Sequence, residues 1–485
     1  MLSTTFLGHQ GWFFQGKDAC ILVDPLLCED FGHAHALEYR VFPPRVWKLG
    51  ELPKIDAVVL SHEHDDHFDI PSLAKLDRKI PIFLSSRSSS AARAILGEMG
   101  FAGHPLVPGK KLVVGDLELT PFCGDHVSLD CGDEWDTLPF FVRDSGGSGN
   151  FFSMVDITMT EQHVDWAKAR DPKPVVVSWT NNALDWSHMA DYLADRVEAT
   201  QECFVKMGVG RKLITTRWGT PSAMLMCAGG FSFVGAKAWM NQRVFCVDTS
   251  VVCREMGKLY RGEQFHATRP GQTFEMGGHR LRKVHDEAPF LATTPPESWP
   301  SRARGEVAEV PDYAPATGRR ALEGGERAEL EALLAEFAAS LVGGTVFRGL
   351  HSILSDAAQG RAPTFALALR DGANGANGDH SLVYEYAPTE CAFVAGKDDP
   401  EAAYVAGLAC WASDFLAVLR GDLGPIALTY GRARLWNALA GKLRFDIFGE
   451  LYRMSHPLRR PARVLALYRR LWAQAEGTAP AIFYR

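Results

Sequence analysis

A chain of 485 residues with 46% hydrophobic and 22% charged residues has the composition of an ordinary globular protein, and its length suggests two to four domains. Its net charge of −7 gives no general attraction to nucleic acid, and no apolar run is long enough to cross a bilayer. Because the first residues lack a signal pattern and the ten cysteines form no Cys-x-x-Cys pair, we expect a reduced, cytoplasmic protein.

The predicted elements begin with a hairpin of strands over residues 3–27. Its β-prone runs are separated by a turn after Gly16, and Asp24 follows the last of them. Residues 28–50 then form a long excursion with two adjacent prolines. We expect this loop to be a wall or lid of a substrate site.

A short apolar run, Ala57–Leu60, predicts a buried strand, and the sequence Ser-His-Glu-His-Asp-Asp-His follows it at residues 61–67. The next four residues, Phe-Asp-Ile-Pro, are typical of the start of a helix. Three histidines with interleaved acids would be costly to bury unpaired, and their ligand atoms suit zinc, iron or manganese. This stretch therefore predicts a metal site.

The spacing within residues 61–67 allows two metal positions. His62 and His64 are two residues apart, so both side chains can project together from an extended or tightly turned segment. Asp66 and His67 follow on the other side of the turn and can serve a second metal. We expect one or two divalent metals, with zinc as the first expectation and iron as the alternative.

Strands and helices alternate after the metal motif, as in α/β folds. The predicted elements are a strand at 81–84, a helix at 91–99, a hairpin at 112–119 and strands at 138–143, 151–156 and 175–179. The strand at 151–156 ends in Asp156, and the strand at 175–179 precedes a loop that contains His188.

The sequence at residues 61–67 resembles the Ser-His-x-His-x-Asp-His signature of the metallo-β-lactamase superfamily. Residues 6–9 and 22–25 resemble the first strands of that fold. Residues 39–44 and 52–59 resemble the branch that holds N-acylphosphatidylethanolamine phospholipase D and ascorbate-6-phosphate lactonase-like enzymes. The resemblance covers about the first 285 residues and implies a four-layered αβ/βα sandwich.

The resemblance implies a set of six metal ligands. They are His62, His64 and His126 for one metal, and Asp66, His67 and a bridging Asp156 for the second. His104 competes with His126, which we prefer because ligands gather at strand ends in layered α/β folds. Asp66 can also orient the nucleophile or pass a proton if one metal is bound, and Asp156 has the alternative of a helix N-cap.

Two further residues are expected beside the ligands or the substrate. The resemblance implies a place for Asp24 just outside the ligand set, and we place His9 there as well. Turn propensity alone would make Asp24 a turn cap instead.

Two departures from the superfamily pattern affect the second metal. Residues 155–158 read Val-Asp-Ile-Thr in place of Gly-Asp-Thr or Gly-Asp-Ser, which resembles Val-Asp-Cys-Thr of CMP-N-acetylneuraminate hydroxylase. Arg217 stands where many relatives have the histidine of His-Trp-Gly-Thr, and an arginine cation cannot ligate a metal. Three explanations are open for the missing ligand of the second metal. Water or substrate can take its position, His188 can reach it, or the site binds one metal only. Arg217 can instead bind an anionic group of the substrate.

The predicted parts are a metallo-β-lactamase-like catalytic domain at 1–286, a proline-rich linker at 287–325 and an α+β module at 326–485. The module begins with an amphipathic helix at 326–341, and residues 411–436 resemble a sterol-carrier-protein-2-like module with an apolar groove. A helical packing or dimerisation domain is the alternative. We expect the arginine-rich segment 445–474 to be a solvated face, with membrane contact as the alternative.

Metal-dependent hydrolysis of an ester, phosphodiester or amide is the first functional prediction, because a bound metal lowers the pKa of water to about 7. The alternative is a dinuclear-iron oxygenase, which would need a separate reductase since the sequence shows no iron–sulfur ligand pairs. The third is an apolar-ligand-binding protein with a residual metal site. We expect a small-molecule partner, lipid-like or carrier-bound, and no nucleic acid. A homodimer is compatible with the sequence.

Overall fold

The computed structural model describes residues 1–122, 134–180, 196–302, 321–341, 360–372, 380–437 and 451–476. Positions 228, 243, 246, 429 and 453 within these ranges are not described, whereas the single positions 316 and 358 outside them are. Among these residues no helix combines the length and apolar character that crossing a bilayer requires.

The first 302 residues, called the first unit below, contain most of the strands. In chain order these strands are β1 (Leu2–Gly8), β2 (Gly11–Gln15), β3 (Cys20–Val23), β4 (Asp30–Phe31), β5 (Tyr39–Val41), β6 (Arg45–Trp47), β7 (Ala57–Leu60), β8 (Ile82–Ser85), β9 (Gly103–Leu106), β10 (Leu112–Val114), β11 (Leu117–Pro121), β12 (Phe140–Asp144), β13 (Asn150–Ser153), β14 (Val176–Thr180), β15 (Ala223–Cys227), β16 (Phe231–Phe233), β17 (Phe265–Ala267), β18 (Thr273–Met276), β19 (Leu281–His285) and β20 (Leu291–Thr293). The α-helices of this unit are α1 (Ile70–Ala74), α2 (Ser90–Glu98), α3 (Glu161–Arg170), α4 (Arg196–Arg217) and α5 (Thr249–Leu259).

Two sheets face each other in the first unit. One has the strand order β19-β18-β1-β2-β3-β7-β8-β9, and the other has the order β10-β11-β12-β13-β14-β15-β17. The layer between them is apolar and is filled from both sides, by Phe14 and Val23 of the first sheet and by Phe151 and Leu225 of the second. Because side chains alternate along a strand, the neighbouring positions face outward and need a second covering layer.

Helices provide that covering layer on both sides. Phe13 and Leu22 on the outer face of the first sheet pack in one cluster with Leu73 of α1 and Ile95 of α2. On the second sheet, Met224 packs in a cluster with residues of α3, α4 and α5. The order helix, sheet, sheet, helix confirms the predicted αβ/βα sandwich.

The start of α1 shows why the chain turns from strand to helix after the metal motif. Asp69 is the N-cap, and its carboxylate accepts a hydrogen bond from the backbone N–H of Ser72 at 3.0 Å. Pro71 lies in the first turn, where its missing N–H leaves no intrahelical bond unmade. This is the helix start that the sequence predicts.

Residues 28–50, expected as a loop, form short strands instead. β5 pairs with β4 and with β16, and β6 pairs with β20. The pairing of β6 with β20 also changes the start of the predicted linker at 287–325. Leu291–Thr293 lies within that range, but it pairs with a strand of the first unit, with Leu291 opposite Trp47.

Residues 321–437, called the second unit, fold around one five-stranded sheet. The elements are α6 (Glu326–Leu341), β21 (Ala362–Asp371), β22 (His380–Ala387), β23 (Ala392–Ala395), α7 (Pro400–Ala403), β24 (Tyr404–Trp411), α8 (Ala412–Arg420) and β25 (Ala433–Asn437), with the strand order β23-β22-β21-β24-β25. Phe337 of α6 and Phe415 of α8 pack in one core with Leu367 and Leu408 of the sheet. The unit is therefore α+β, and its likeness to a sterol carrier stays a prediction.

The last described helix, α9 (Pro461–Ala475), lies on the first unit. Val464, Tyr468 and Leu471 belong to the same apolar cluster as Leu73 of α1 and Ile95 of α2. The helix thus falls inside the predicted module 326–485 by sequence, yet its apolar face is buried on the first unit.

Candidate metal centre

The metal motif lies where two parallel strands of the first sheet end side by side. β3 and β7 pair in parallel, with Val23 opposite Val59, so Asp24 and Ser61 meet at the same edge. The carboxylate of Asp24 accepts hydrogen bonds from Ser61, from its backbone N–H at 2.7 Å and from its hydroxyl at 2.6 Å. These bonds fix the first residue of the motif.

Asp24 also orients one of the histidines. Its Oδ2 lies 2.8 Å from Nδ1 of His67, while Nε2 of His67 lies 2.9 Å from Oδ2 of Asp156. With its Nδ1–H donated to Asp24, the imidazole presents Nε2 to the interior of the site, which is the arrangement that metal-ligating histidines have.

The described residues contain two overlapping groups of ligand atoms. In one group, His62, His64, Asp66 and Asp156 each offer an atom within 4.8 Å of the others. The second group consists of His9, Asp66 and His67, with the same limit. Asp66 belongs to both groups, and the two groups therefore form one continuous centre.

His62 supports occupation of this centre by a cation. Its side chain is fully buried, its Nδ1 lies 2.9 Å from the hydroxyl of Ser61, and its Nε2 has no hydrogen-bond partner among the described residues. That Nε2 lies 3.7 Å from Oδ2 of Asp156. A buried polar atom without a partner is costly, and a metal ion between the imidazole and the carboxylate would satisfy both.

The electrostatics of the centre are also those of a cation site. Burial lowers the pKa of His62 well below its ordinary value, and the neighbouring His67 lowers it further, which keeps the imidazole neutral and able to ligate. Burial would lower the pKa of His67 as well, but the charges of Asp66 and Asp156 outweigh it and raise that pKa. The charges of two carboxylates thus act on His67.

A carboxylate that the sequence analysis missed lies beside the first histidine pair. The carboxylate oxygens of Glu134 are 3.8 Å from Nε2 of His62 and 3.8 Å from Nδ1 of His64. The backbone N–H of Leu138 donates to the carbonyl of Ser61 at 3.2 Å and holds this segment against the motif. No local pattern marks Glu134, because only this long-range pairing brings it to the site.

Gln10 is a second residue that the sequence analysis missed. Its amide Nε2 donates to Oδ1 of Asp156 at 2.7 Å and to the carbonyl of Val155 at 3.3 Å. Its Oε1 accepts from the buried thiol of Cys227 at 3.2 Å. Gln10 therefore fixes one oxygen of Asp156 and leaves the other directed at the histidines.

His9 holds Asp66 in a similar way. Its Nε2 lies 2.7 Å from Oδ2 of Asp66, and its ring packs against Phe31 at a centroid distance of 5.2 Å. The backbone of Gly230 is so close to its neighbours that a Cβ there would lie 2.9 Å from the carbonyl oxygen of Phe42 and 3.2 Å from Cα of His9. Glycine is therefore needed at position 230 for this approach.

Two of the predicted site residues, His126 and His188, lie outside the described residues. The alternative ligand His104 is on β9, where its ring stacks on Phe83 at 5.2 Å, away from the two groups of ligand atoms.

Comparison with known proteins gives the family of part of the first unit. Residues 20–215 match the family model described as a beta-lactamase superfamily domain. This part of the chain is a metallo-β-lactamase superfamily domain. The match contains the whole motif at residues 61–67 as well as Asp24 and Asp156.

Curated relatives match this chain over a short stretch. Uncharacterized proteins of Mycobacterium bovis and of two Mycobacterium tuberculosis strains are 33% identical to it over 76 residues, 16% of this chain and 20% of theirs. The match thus spans one fifth of the length of these relatives.

Solved structures resemble part of this chain at low identity. An isothiocyanate hydrolase from Delia radicum gut bacteria is 16% identical, with a TM-score of 0.39 over 57% of this chain and 99% of that one. CmlA, a diiron β-hydroxylase from Streptomyces venezuelae, is 16% identical, with a TM-score of 0.36 over 56% and 53%. Likenesses of this size carry no argument about activity.

Arg217 ends helix α4 of the superfamily domain and is committed to a surface ion pair. Its guanidinium donates to both carboxylate oxygens of Asp165 at 2.9 and 2.6 Å and to Glu161 at 2.9 Å. The structure therefore does not bring Arg217 to the metal centre, and the expectation that it binds an anionic substrate group is not supported by its contacts.

Replacing Arg217 with alanine is expected to leave the metal content unchanged and to reduce thermal stability only slightly, because exposed ion pairs contribute little. Elemental analysis and a thermal melt check both points. A loss of metal in this variant would show that Arg217 does contribute to the metal centre.

Proposed function

We propose that this protein is a dinuclear metal enzyme and that its metals are iron, used to oxidise an organic substrate with dioxygen. The observation that carries the proposal is Glu134. With it, the described part of the centre offers three histidines and three carboxylates: His62, His64, His67, Asp66, Glu134 and Asp156. The sequence analysis expected His126 and a zinc hydrolase at this point, and His126 lies outside the described residues.

The ligand types are compatible with iron. Non-haem iron oxygenases combine two histidines with a carboxylate and keep open positions, and catalytic zinc sites also use two histidines with a glutamate, so the choice of iron is part of the proposal. His62, His64 and Glu134 form such a set. Asp66 and His67 would hold the second ion. Asp156 lies near a histidine of each ion, His62 for the first and His67 for the second.

Bound iron would supply the activation of dioxygen, and a separate reductase would supply electrons. The chain's own residues position the ligands and shield the site. Asp24 keeps Nε2 of His67 turned inward, and Gln10 fixes Asp156. Phe31, packed against His9, limits access of water on that side.

Hydrolysis is the second candidate, and the pair of Asp66 and His9 favours it. A carboxylate 2.7 Å from an imidazole can accept a proton from a metal-bound water and pass it on. In that reaction a single zinc ion would suffice, and Asp66, which then holds no second ion, would act as the general base. The substrate in either reaction is proposed to be a small organic molecule, lipid-like or carrier-bound.

The test is metal analysis followed by turnover. Protein purified without added metal is expected to carry about two iron ions per chain, as two-metal sites do, and to take up dioxygen after anaerobic reduction. A variant with His62 and His64 both changed to alanine is the control and should do neither. Zinc as the only metal, together with hydrolysis of an ester or phosphodiester probe, would replace the oxygenase proposal by the hydrolase.

A further inference from the structure

Helix α9 is attached to the first unit by more than apolar packing. Arg469, on its solvent side, donates to both carboxylate oxygens of Glu98 in α2, at 2.8 and 2.6 Å. The apolar side carries Val464, Tyr468 and Leu471 at helical spacing, and these residues are buried against α1 and α2. The helix therefore has a defined orientation on the superfamily domain.

Tyr468 reaches the metal motif itself. Its hydroxyl donates to Oε1 of Glu63 at 3.0 Å, and its ring lies 5.4 Å from that of Phe68. Both partners of this hydrogen bond are only 5% exposed. Glu63 is the residue between His62 and His64, so the contact is made at the centre of the ligand turn.

Glu63 is held by donors from two separate parts of the chain. Its carboxylate accepts from the backbone N–H of Ser89 at 2.7 Å, from the hydroxyl of Ser89 at 2.6 Å and from Tyr468. A buried carboxylate needs such donors, and losing one leaves part of the charge uncompensated. Because Glu63 shares its backbone with both flanking histidines, its position constrains the directions of their side chains.

A second contact joins the same C-terminal segment to the other side of the site. The ring of His456 lies 4.4 Å from the indole of Trp135, and Trp135 lies 6.4 Å from the ring of His64. Trp135 directly follows Glu134, the carboxylate beside the first histidine pair. The C-terminal segment thus contacts Glu63, which lies between the two histidines, and Trp135, which lies next to Glu134.

We propose that residues 454–475 are a positioning element of the metal centre, in which Tyr468 acts through Glu63 to set the directions of His62 and His64. Tyr468 is a positioning residue, since its polar contact is with Glu63 and not with a proposed metal ligand. This inference rests on the metal centre of the proposed function, but not on which reaction that centre performs.

The test is a titration of the metal-free full chain with Co²⁺, whose visible absorption reports both affinity and coordination geometry. Tyr468→Phe removes one hydroxyl and keeps the ring. We expect Co²⁺ affinity to fall about tenfold, together with a changed absorption band. Tenfold is the lower end of the loss in metal affinity seen when residues that hold the metal ligands are substituted. Equal affinity and equal spectrum in Tyr468→Phe and the wild type would overturn the inference.

Tyr404→Phe is the matched control for a general loss of stability. Tyr404 is also buried and also donates its hydroxyl to a glutamate, Glu385, but it lies in the sheet of the second unit. Both variants are expected to lower the melting temperature, and only Tyr468→Phe should weaken Co²⁺ binding. Equal weakening in both variants would show that the effect comes through stability.

A double substitution tests the route through Glu63. In a Glu63→Gln background, Tyr468→Phe is expected to add little further weakening, because residues that act through one another are not additive. An undiminished tenfold effect there would contradict this route. A wild-type chain that binds no Co²⁺ would overturn the proposed metal centre and the inference with it.

Discussion

Changing Asp156 to asparagine is expected to remove most of the bound metal. Oδ2 of Asp156 lies 2.9 Å from Nε2 of His67 and 3.7 Å from Nε2 of His62, so one oxygen serves both sides of the centre. An amide keeps the shape but loses the charge. We expect metal content to fall from about two ions per chain to below one, and affinity to fall by more than about a hundredfold, because substitutions outside the ligand set already cost 10–100-fold.

Asp165→Asn is the matched control for this substitution. Asp165 is half-exposed on α3 and pairs with Arg217, so its charge is lost at the surface and not at the centre. Elemental analysis after gel filtration should find wild-type metal content in this variant. If Asp156→Asn kept both metal ions, the carboxylate would lie outside the ligand set and Gln10 would have another role.

Substitutions of Glu134 are expected to change which metal binds. Glu134→Ala should lose the ion beside His62 and His64, since a carboxylate 3.8 Å from both imidazoles is gone. Glu134→His should keep an ion there but favour zinc over iron, because a third imidazole replaces an oxygen ligand. The measurement is metal content after anaerobic equilibration with equal Fe²⁺ and Zn²⁺.

The outcome for Glu134 also separates the two proposed reactions. Loss of dioxygen uptake with gain of ester hydrolysis in Glu134→His would support the oxygenase as the native activity. Glu161→Ala, which removes an exposed carboxylate paired with Arg217, is the control and should bind metals as the wild type does. Unchanged metal content in Glu134→Ala would mean that residue is not a ligand.

Much of the fold could be predicted because its signals are local. Apolar runs gave the strands on both sides of the sandwich, and an acid three residues before Ser72 marked the start of α1. The histidines and acids of the motif cluster within seven residues, so their chemistry is visible without a structure.

The parts that the sequence did not reveal depend on contacts between distant residues. Glu134 reaches the site because Leu138 pairs with Ser61, and Gln10 reaches Asp156 across the two sheets. A local resemblance predicts Arg217 at the second metal position. In the structure Arg217 ends helix α4, and its side chain contacts the neighbouring helix α3. A pattern of single residues contains no information on such pairings.

The prediction for the C-terminal segment concerned only one side of its helix. Its arginines suggested a solvated face, and Arg469 is indeed half-exposed, although it pairs with Glu98. The apolar positions Val464, Tyr468 and Leu471 on the other side determine where the helix lies. Their spacing is helical, but spacing alone does not say which surface they cover.

The attachment of α9 has a consequence for the order in which the newly made protein matures. Tyr468 is separated from Glu63 by 405 residues. At a synthesis rate of about 5–20 residues per second, the ribosome makes the histidine turn about 20–80 s before the tyrosine that holds it. During that interval the nascent first unit can fold its sheets, but its ligand turn lacks one of its buried donors, the hydroxyl of Tyr468.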